Sequence, residues 1–125
     1  MLPTPPEGLR HWRPDDAPAL EAAWADPDIA RWSPPPAGLD AAAWIAGAEA
    51  RWAQRLALDL VIVPPPPDER ADRRVGVAPA HERADRRVRV AGEVGLSGFT
   101  GLDGAGPARA ELGVWVAAAH RRTGL

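Results

Sequence analysis

At 125 residues the chain has room for one small domain with a modest core, and its formal net charge of −2 argues against bulk attraction to nucleic acid or an anionic membrane surface. The absence of cysteine excludes disulfides, thiol catalysis and Cys-ligated metal, and the three histidines (His11, His81, His120) are scattered, so no metal cofactor is expected. No apolar run approaches ~18–20 residues and no basic, apolar leader opens the chain, so the expectation is a cytoplasmic protein with no membrane partner.

Met1–Glu7 is a proline-rich lead-in. Gly8–Arg13 alternates enough to form a first strand, ended by Pro14. Asp15 or Asp16 can cap the helix that follows, with Pro18 tolerated in its first turn. Leu20, Ala23 and Trp24 give that helix an apolar stripe up to Asp26-Pro27, and Ile29–Trp32 adds one further turn before a triple proline. Asp40 is the expected N-cap of the clearest helix, in which Ala41, Trp44, Ile45, Ala48 and Trp52 share one face while Glu49, Arg51 and Arg55 point elsewhere. The simple reading of both tryptophans is core packing.

Leu56–Val63 (LALDLVIV) reads as a strand, and Pro64–Pro67 must leave the sheet because proline cannot donate to a ladder. Beyond it, Glu69-Arg70-Ala71-Asp72-Arg73-Arg74-Val75 recurs 13 residues later as Glu82–Val88. An odd offset reverses which side chains face the core, so only one copy can keep the register. We therefore read about 64–91 as a Pro/Arg-rich hairpin insertion within a single domain spanning 1–125. Its arginines and acids nearly balance and it holds no aromatic residue to stack a base, so no nucleic-acid partner is expected. Gly92–Thr100 is the next strand, Gly101–Pro107 a turn or open loop, and Ala110–Val116 a strand pairing back against it.

The last stretch, Arg109–Leu125 (RAELGVWVAAAHRRTGL), is a short β-rich apolar run that gives way to a basic, Gly-containing turn. Turn amides and arginines in such a place can meet phosphate oxygens. The run ELGVWV, preceded by GEVGLSGF at Gly92–Phe99, resembles the acetyl-CoA-binding core of the GNAT superfamily of N-acetyltransferases, in the branch of the ribosomal-protein acetyltransferases RimJ and RimL. LRHWRPDD at Leu9–Asp16 and DPDIARW at Asp26–Trp32 resemble the opening of that branch. Arg121, Arg122, Thr123, Gly124 and Leu125 match the first five positions of the family's pyrophosphate loop, with Arg122 where many relatives carry glycine.

The resemblance implies an α+β fold: the N-terminal half of a GNAT domain in the order β-α-α-β-β-β, with a mostly antiparallel sheet flanked by helices. It implies acetyl-CoA as co-substrate and an amine acceptor, either a protein N-terminus or a small molecule. A bulge in the ELGVWV strand would free main-chain groups for the pantetheine arm. Val114 and Val116 would supply those groups, and the Val114 or Trp115 amide would face the thioester oxygen. Glu111 is the candidate general base; the alternatives are a solvent-facing carboxylate or an ion pair with Arg109. Ser97 reads as a strand serine, and His120 could approach the phosphates or simply pack. Because the family's helix and splayed strand would follow Leu125, the expectation is a truncated and inactive acetyltransferase domain. A non-catalytic relative working as a homodimer, or an Arg-rich interaction module, would be the other readings.

Overall fold

The computed structural model describes residues 1–64 and 90–121. The tandem repeat, His81 and the loop positions Arg122, Thr123, Gly124 and Leu125 lie outside the described residues. Strand β1 (Leu9–His11) leads through a single helical turn at Pro14–Asp16 into α1 (Ala17–Ala25), α2 (Pro27–Trp32), α3 (Ala41–Ala46) and α4 (Ala48–Ala53). Strands β2 (Ala57–Ile62), β3 (Gly92–Thr100) and β4 (Arg109–Val116) follow, and a last turn covers Ala118–His120. The strands form one antiparallel sheet in the order β1-β2-β3-β4. This is the α+β arrangement expected from the sequence, and it is consistent with the first half of a GNAT fold.

Local chemistry explains the helix boundaries. Asp26, held extended before Pro27, accepts the Asp28 amide at 2.9 Å and so caps α2. Asp40 accepts the Ala43 amide at 2.7 Å and caps α3, as its position predicts. The long helix expected after Asp40 is in fact two short ones, broken at Gly47. The missing Cβ there admits the Arg51 side chain, whose Nη1 donates to the Trp44 carbonyl at 2.6 Å. Helix α4 closes in a Schellman motif, with Leu56 N donating to Arg51 O and Arg55 N to Trp52 O, each at 2.9 Å. The left-handed position, usually glycine, is Arg55 at φ 54°. Its guanidinium donates to Trp52 O at 2.6 Å and lies 4.0 Å from the Trp52 ring centroid.

Asp16 does not cap α1. The helical turn at Pro14–Asp16 carries it inside, where it is only 1% exposed. There it accepts two bonds from the Arg10 guanidinium, at 2.7 and 2.9 Å, and the Arg13 amide at 2.8 Å.

Strand alternation gives the sheet two unlike faces. The inner face carries Val61, Glu93 and Trp115 in one cross-strand row. The core forms where Leu20, Ala23, Ile29, Ala41 and Ile45 of α1–α3 meet Trp12, Val61 and Trp115. Trp12 is central: its ring lies 5.8 Å from Trp44 and 6.4 Å from Trp115. The opposite face carries Leu96, Leu112 and Val114, of which Leu112 and Val114 are exposed. The resemblance placed a bulge in β4, yet β4 pairs without interruption from Glu111 to Val116. The irregularity falls instead on β3 between Ser97 and Thr100, where Gly98 takes φ 61°.

Candidate active site

Among the described residues strand β4 is the edge of the sheet, and the direction of its main-chain groups follows from one bond. Ala117 N donates to Ala91 O at 2.8 Å, in the same register that pairs Val116 with Gly92. Bonded and non-bonded pairs alternate in an antiparallel ladder, so Glu111, Gly113 and Trp115 turn their main-chain groups toward β3. Leu112, Val114 and Val116 therefore turn theirs outward. Of the two amides considered for the thioester oxygen, only that of Val114 faces the open edge; the Trp115 amide is committed to β3.

Arg121 stands at the end of this edge. Its Nε donates to the outward Val116 carbonyl at 3.0 Å, and its terminal nitrogens lie 3.1 Å from Asp26 Oδ2 and 3.7 Å from Asp28 Oδ2. The guanidinium thus ties the strand end to the start of α2. These contacts are solvent-accessible, so the pairing is weak and open to exchange for another anion.

Three rows of the inner face run side by side on β3 and β4: Glu93 opposite Trp115, Gly95 opposite Gly113, and Ser97 opposite Glu111. The middle row has no side chains, and β2 continues it with Asp59. A Cβ on Gly113 would touch nothing within 4 Å. Among the described residues, a Cβ on Gly95 would meet Asp59 Oδ1 at 3.0 Å and Glu93 Oε1 at 4.0 Å. The result is a strip of bare backbone bordered by carboxylates, open on the β4 side.

Glu93 is the least ordinary group in this strip. Its Oε1 accepts the Trp115 indole N–H at 3.2 Å. Oε2 is shut off from solvent without a hydrogen-bond partner, and so is Trp12 Nε1, which faces the same carboxylate from outside bonding geometry. Burial, reinforced by the neighbouring Asp59 charge, pushes the Glu93 carboxyl up to about 7; the indole N–H groups and Arg51 pull only weakly the other way. Asp59 is also raised by burial, against the opposing pull of Arg51. Arg51 Nε sits 3.6 Å from Asp59 Oδ2, and its guanidinium carbon lies 4.3 Å from the Trp44 ring centroid. One guanidinium thus faces two carboxyl groups, and Arg51 points into the sheet rather than away from it.

The structure places Glu111, Val114, Trp115 and Val116 on one strand, with Arg121 directly after it. Glu111 is exposed, and Ser97, opposite it, is exposed too. The partial burial that suits a proton acceptor belongs instead to Glu93, which sequence reasoning passed over. The signal was available: in GEVGL, Glu93 alternates with Val94 and shares its parity with the glycine at 95, so a charged residue faces the same way as a gap. Trp44 and Trp52 both pack, Trp44 edge-on to Trp24 at 6.2 Å and Trp52 edge-on to Phe99 at 5.9 Å.

Among the described residues, no three His, Cys, Asp or Glu side chains gather as metal ligands. Among the same residues no helix is long and apolar enough to cross a membrane. A sequence model of the acetyltransferase (GNAT) domain matches residues 8–125. No curated protein and no solved structure matches the chain.

Proposed function

The chain belongs to the GNAT acetyltransferase family, and on that premise we propose that it transfers the acetyl group of acetyl-CoA to a primary amine, either a protein N-terminus or a small molecule, in the manner of the RimJ/RimL branch. The observation that carries this reading is the outward main chain of Val114 at an unpaired sheet edge, next to a carboxylate-bordered strip on the inner face. Acetyl-CoA brings the activated thioester. The Val114 amide and carbonyl are then free to bond the pantetheine arm, and the Val114 N–H can donate to the thioester oxygen as it gains charge. The Val116 carbonyl joins them when Arg121 lets go of it. Arg121, Arg122, Thr123, Gly124 and Leu125 form the phosphate-binding segment, in which Arg121 exchanges Asp26 and Asp28 for phosphate oxygens.

The acceptor arrives as an ammonium and must shed a proton before it can attack. Glu111, exposed at the mouth of the strip, meets that cation first; its negative charge favours a cationic acceptor over a neutral one. A second reading rests on the same edge: β4, with Leu112 and Val114 exposed, could pair with another copy of the chain. The experiment that separates the two uses the purified protein, acetyl-CoA, and a panel of peptide N-termini, lysine and small alkylamines. Thiol release that requires an amine, with an acetamide as product, is expected. A stable dimer that releases no thiol with any amine would favour the second reading and refute the first.

A further inference from the structure

We propose that the bare strip over Gly113 and Gly95 is the acceptor-amine slot, that it admits only slender primary amines, and that Glu93 at its inner end is the base that takes the ammonium proton. The proposal rests on the acetyltransferase reading and names the acceptor class and a catalytic residue for it. It moves to Glu93 the role that sequence analysis suggested for Glu111.

Register supplies the first argument. Gly113 directly precedes Val114, whose outward amide marks the acetyl side of the site, so a nitrogen above Gly113 lies beside the reacting edge. Glu93 is the diagonal cross-strand neighbour of Gly113, within ~7–8 Å between backbones and within reach of a glutamate side chain. Two consecutive rows with side chains would close this space. Here the middle row is Gly95 opposite Gly113: a Cβ on Gly113 would meet open space, with the Asp59 carboxylate next to it over Gly95.

Unmatched charge supplies the second argument. Among the described residues, the atoms nearest a Cβ on Gly95 would be two carboxylate oxygens, Asp59 Oδ1 leaning over it at 3.0 Å and Glu93 Oε1 at 4.0 Å. Arg51 lies nearest Asp59, at 3.6 Å, and is shared with Glu93, so among the described residues one guanidinium is set against two carboxyl groups. Below Glu93, Trp12 is 7% exposed and turns an unpartnered Nε1 toward it. An ammonium beside Gly95 would add a second positive charge to this pair of carboxyls and a donor to Oε1, which has a lone pair left after the Trp115 bond.

The step balances without any further reagent. The ammonium gives one proton to the Glu93 carboxylate. The free amine attacks the thioester carbonyl carbon, a C–N bond forms, and the C–S bond breaks as the tetrahedral intermediate collapses. The departing thiolate takes the remaining surplus proton from nitrogen, and Glu93 returns its proton to solvent. A carboxyl that titrates near neutrality is matched to this exchange.

The slot also predicts selectivity. A carbon chain unbranched next to nitrogen clears the walls, whereas a branched one collides with Glu111 and Trp115 on either side of Gly113 along β4. The test compares n-propylamine with isopropylamine in the wild-type protein, in Gly113→Val and in Glu93→Gln, each at saturating acetyl-CoA. Gly113→Val fills open space and leaves the fold intact. Its kcat/KM for n-propylamine should fall at least tenfold, with the acetyl-CoA Kd unchanged. The wild type should prefer n-propylamine at least tenfold. Glu93→Gln should lower kcat at least a hundredfold and abolish the limb of the pH–rate profile near 7, whereas Glu111→Gln should raise KM and keep that limb. Unchanged amine turnover in Gly113→Val, or a limb near 7 that survives in Glu93→Gln, overturns the slot while leaving the acetyltransferase reading standing. Absence of turnover with every amine in the wild type overturns both.

Discussion

Asp16→Ala should cost about 3–5 kcal/mol of folding stability, the usual penalty for removing one partner of a buried ion pair. Asp16 is 1% exposed, and its two oxygens accept from both terminal nitrogens of Arg10 at 2.7 and 2.9 Å. Oδ2 also takes the Arg13 amide at 2.8 Å, which fixes the turn between β1 and α1. Removing the carboxylate takes two charge-assisted bonds from a guanidinium whose side chain is 16% exposed, and orphans an amide as well. A small domain has only ~5–15 kcal/mol in total, so the variant should sit near its unfolding midpoint without denaturant. Urea titration followed by tryptophan fluorescence measures the loss. Replacing both partners together, Arg10→Met with Asp16→Leu, should recover part of it, because apolar side chains of similar size remove the desolvation cost of both charges at once. A loss below ~1 kcal/mol in Asp16→Ala would mean that the pair is solvated and the turn is held by other contacts.

The second large effect depends on pH. Glu93 rises from 4.5 to about 7 on folding, so between those values the folded state holds a proton that the unfolded chain has released. Stability therefore falls as pH rises through that window and levels off above it. At ~1.36 kcal/mol per pH unit, the full excursion is worth roughly 3 kcal/mol. The groups facing Glu93 set the sign: burial and Asp59 favour the protonated form, while Arg51 and the Trp12 and Trp115 indoles oppose it. Asp59, also raised, adds to the same slope. Glu93→Gln retains the shape and the bond from Trp115 but carries no charge. It should be more stable than the wild type at pH 8, and most of the pH slope should vanish. Urea midpoints at pH 5, 6, 7 and 8 for both proteins decide this. An equal slope in the variant would place the titrating group elsewhere.

The sequence was legible where local chemistry decides. Asp40 announced a helix start through side-chain capping and sits where expected, whereas Asp26-Pro27, read as the end of the first helix, also starts the second, two residues before the expected Ile29. The ELGVWV strand was legible from its β-branched and aromatic residues. What escaped depends on approach in three dimensions. Gly47 falls inside the run that reads as one helix after Asp40, and the break there comes with the return of Arg51 onto the Trp44 carbonyl. Asp16 looked like a cap because nothing local distinguishes a capping aspartate from one swung inward against Arg10. Glu93 escaped because its significance comes from Gly95, Gly113 and Asp59 on three different strands, a juxtaposition fixed by register. The bulge expected in the ELGVWV strand is absent, and the irregularity lies on β3, at Gly98; the outward phase of Val114 and Val116 follows from register, which no local pattern reveals.

Amide hydrogen exchange along β4 tests whether its outer edge is open and receives the cofactor. Exchange of the Val114 and Val116 amides should be fast in the protein alone, because both point away from β3, whereas the Gly113 and Trp115 amides should be protected. Saturating acetyl-CoA should slow Val114 at least tenfold and leave Trp115 as it was. If acetyl-CoA leaves every β4 amide unchanged, the cofactor does not use this edge and the site assigned to it is wrong.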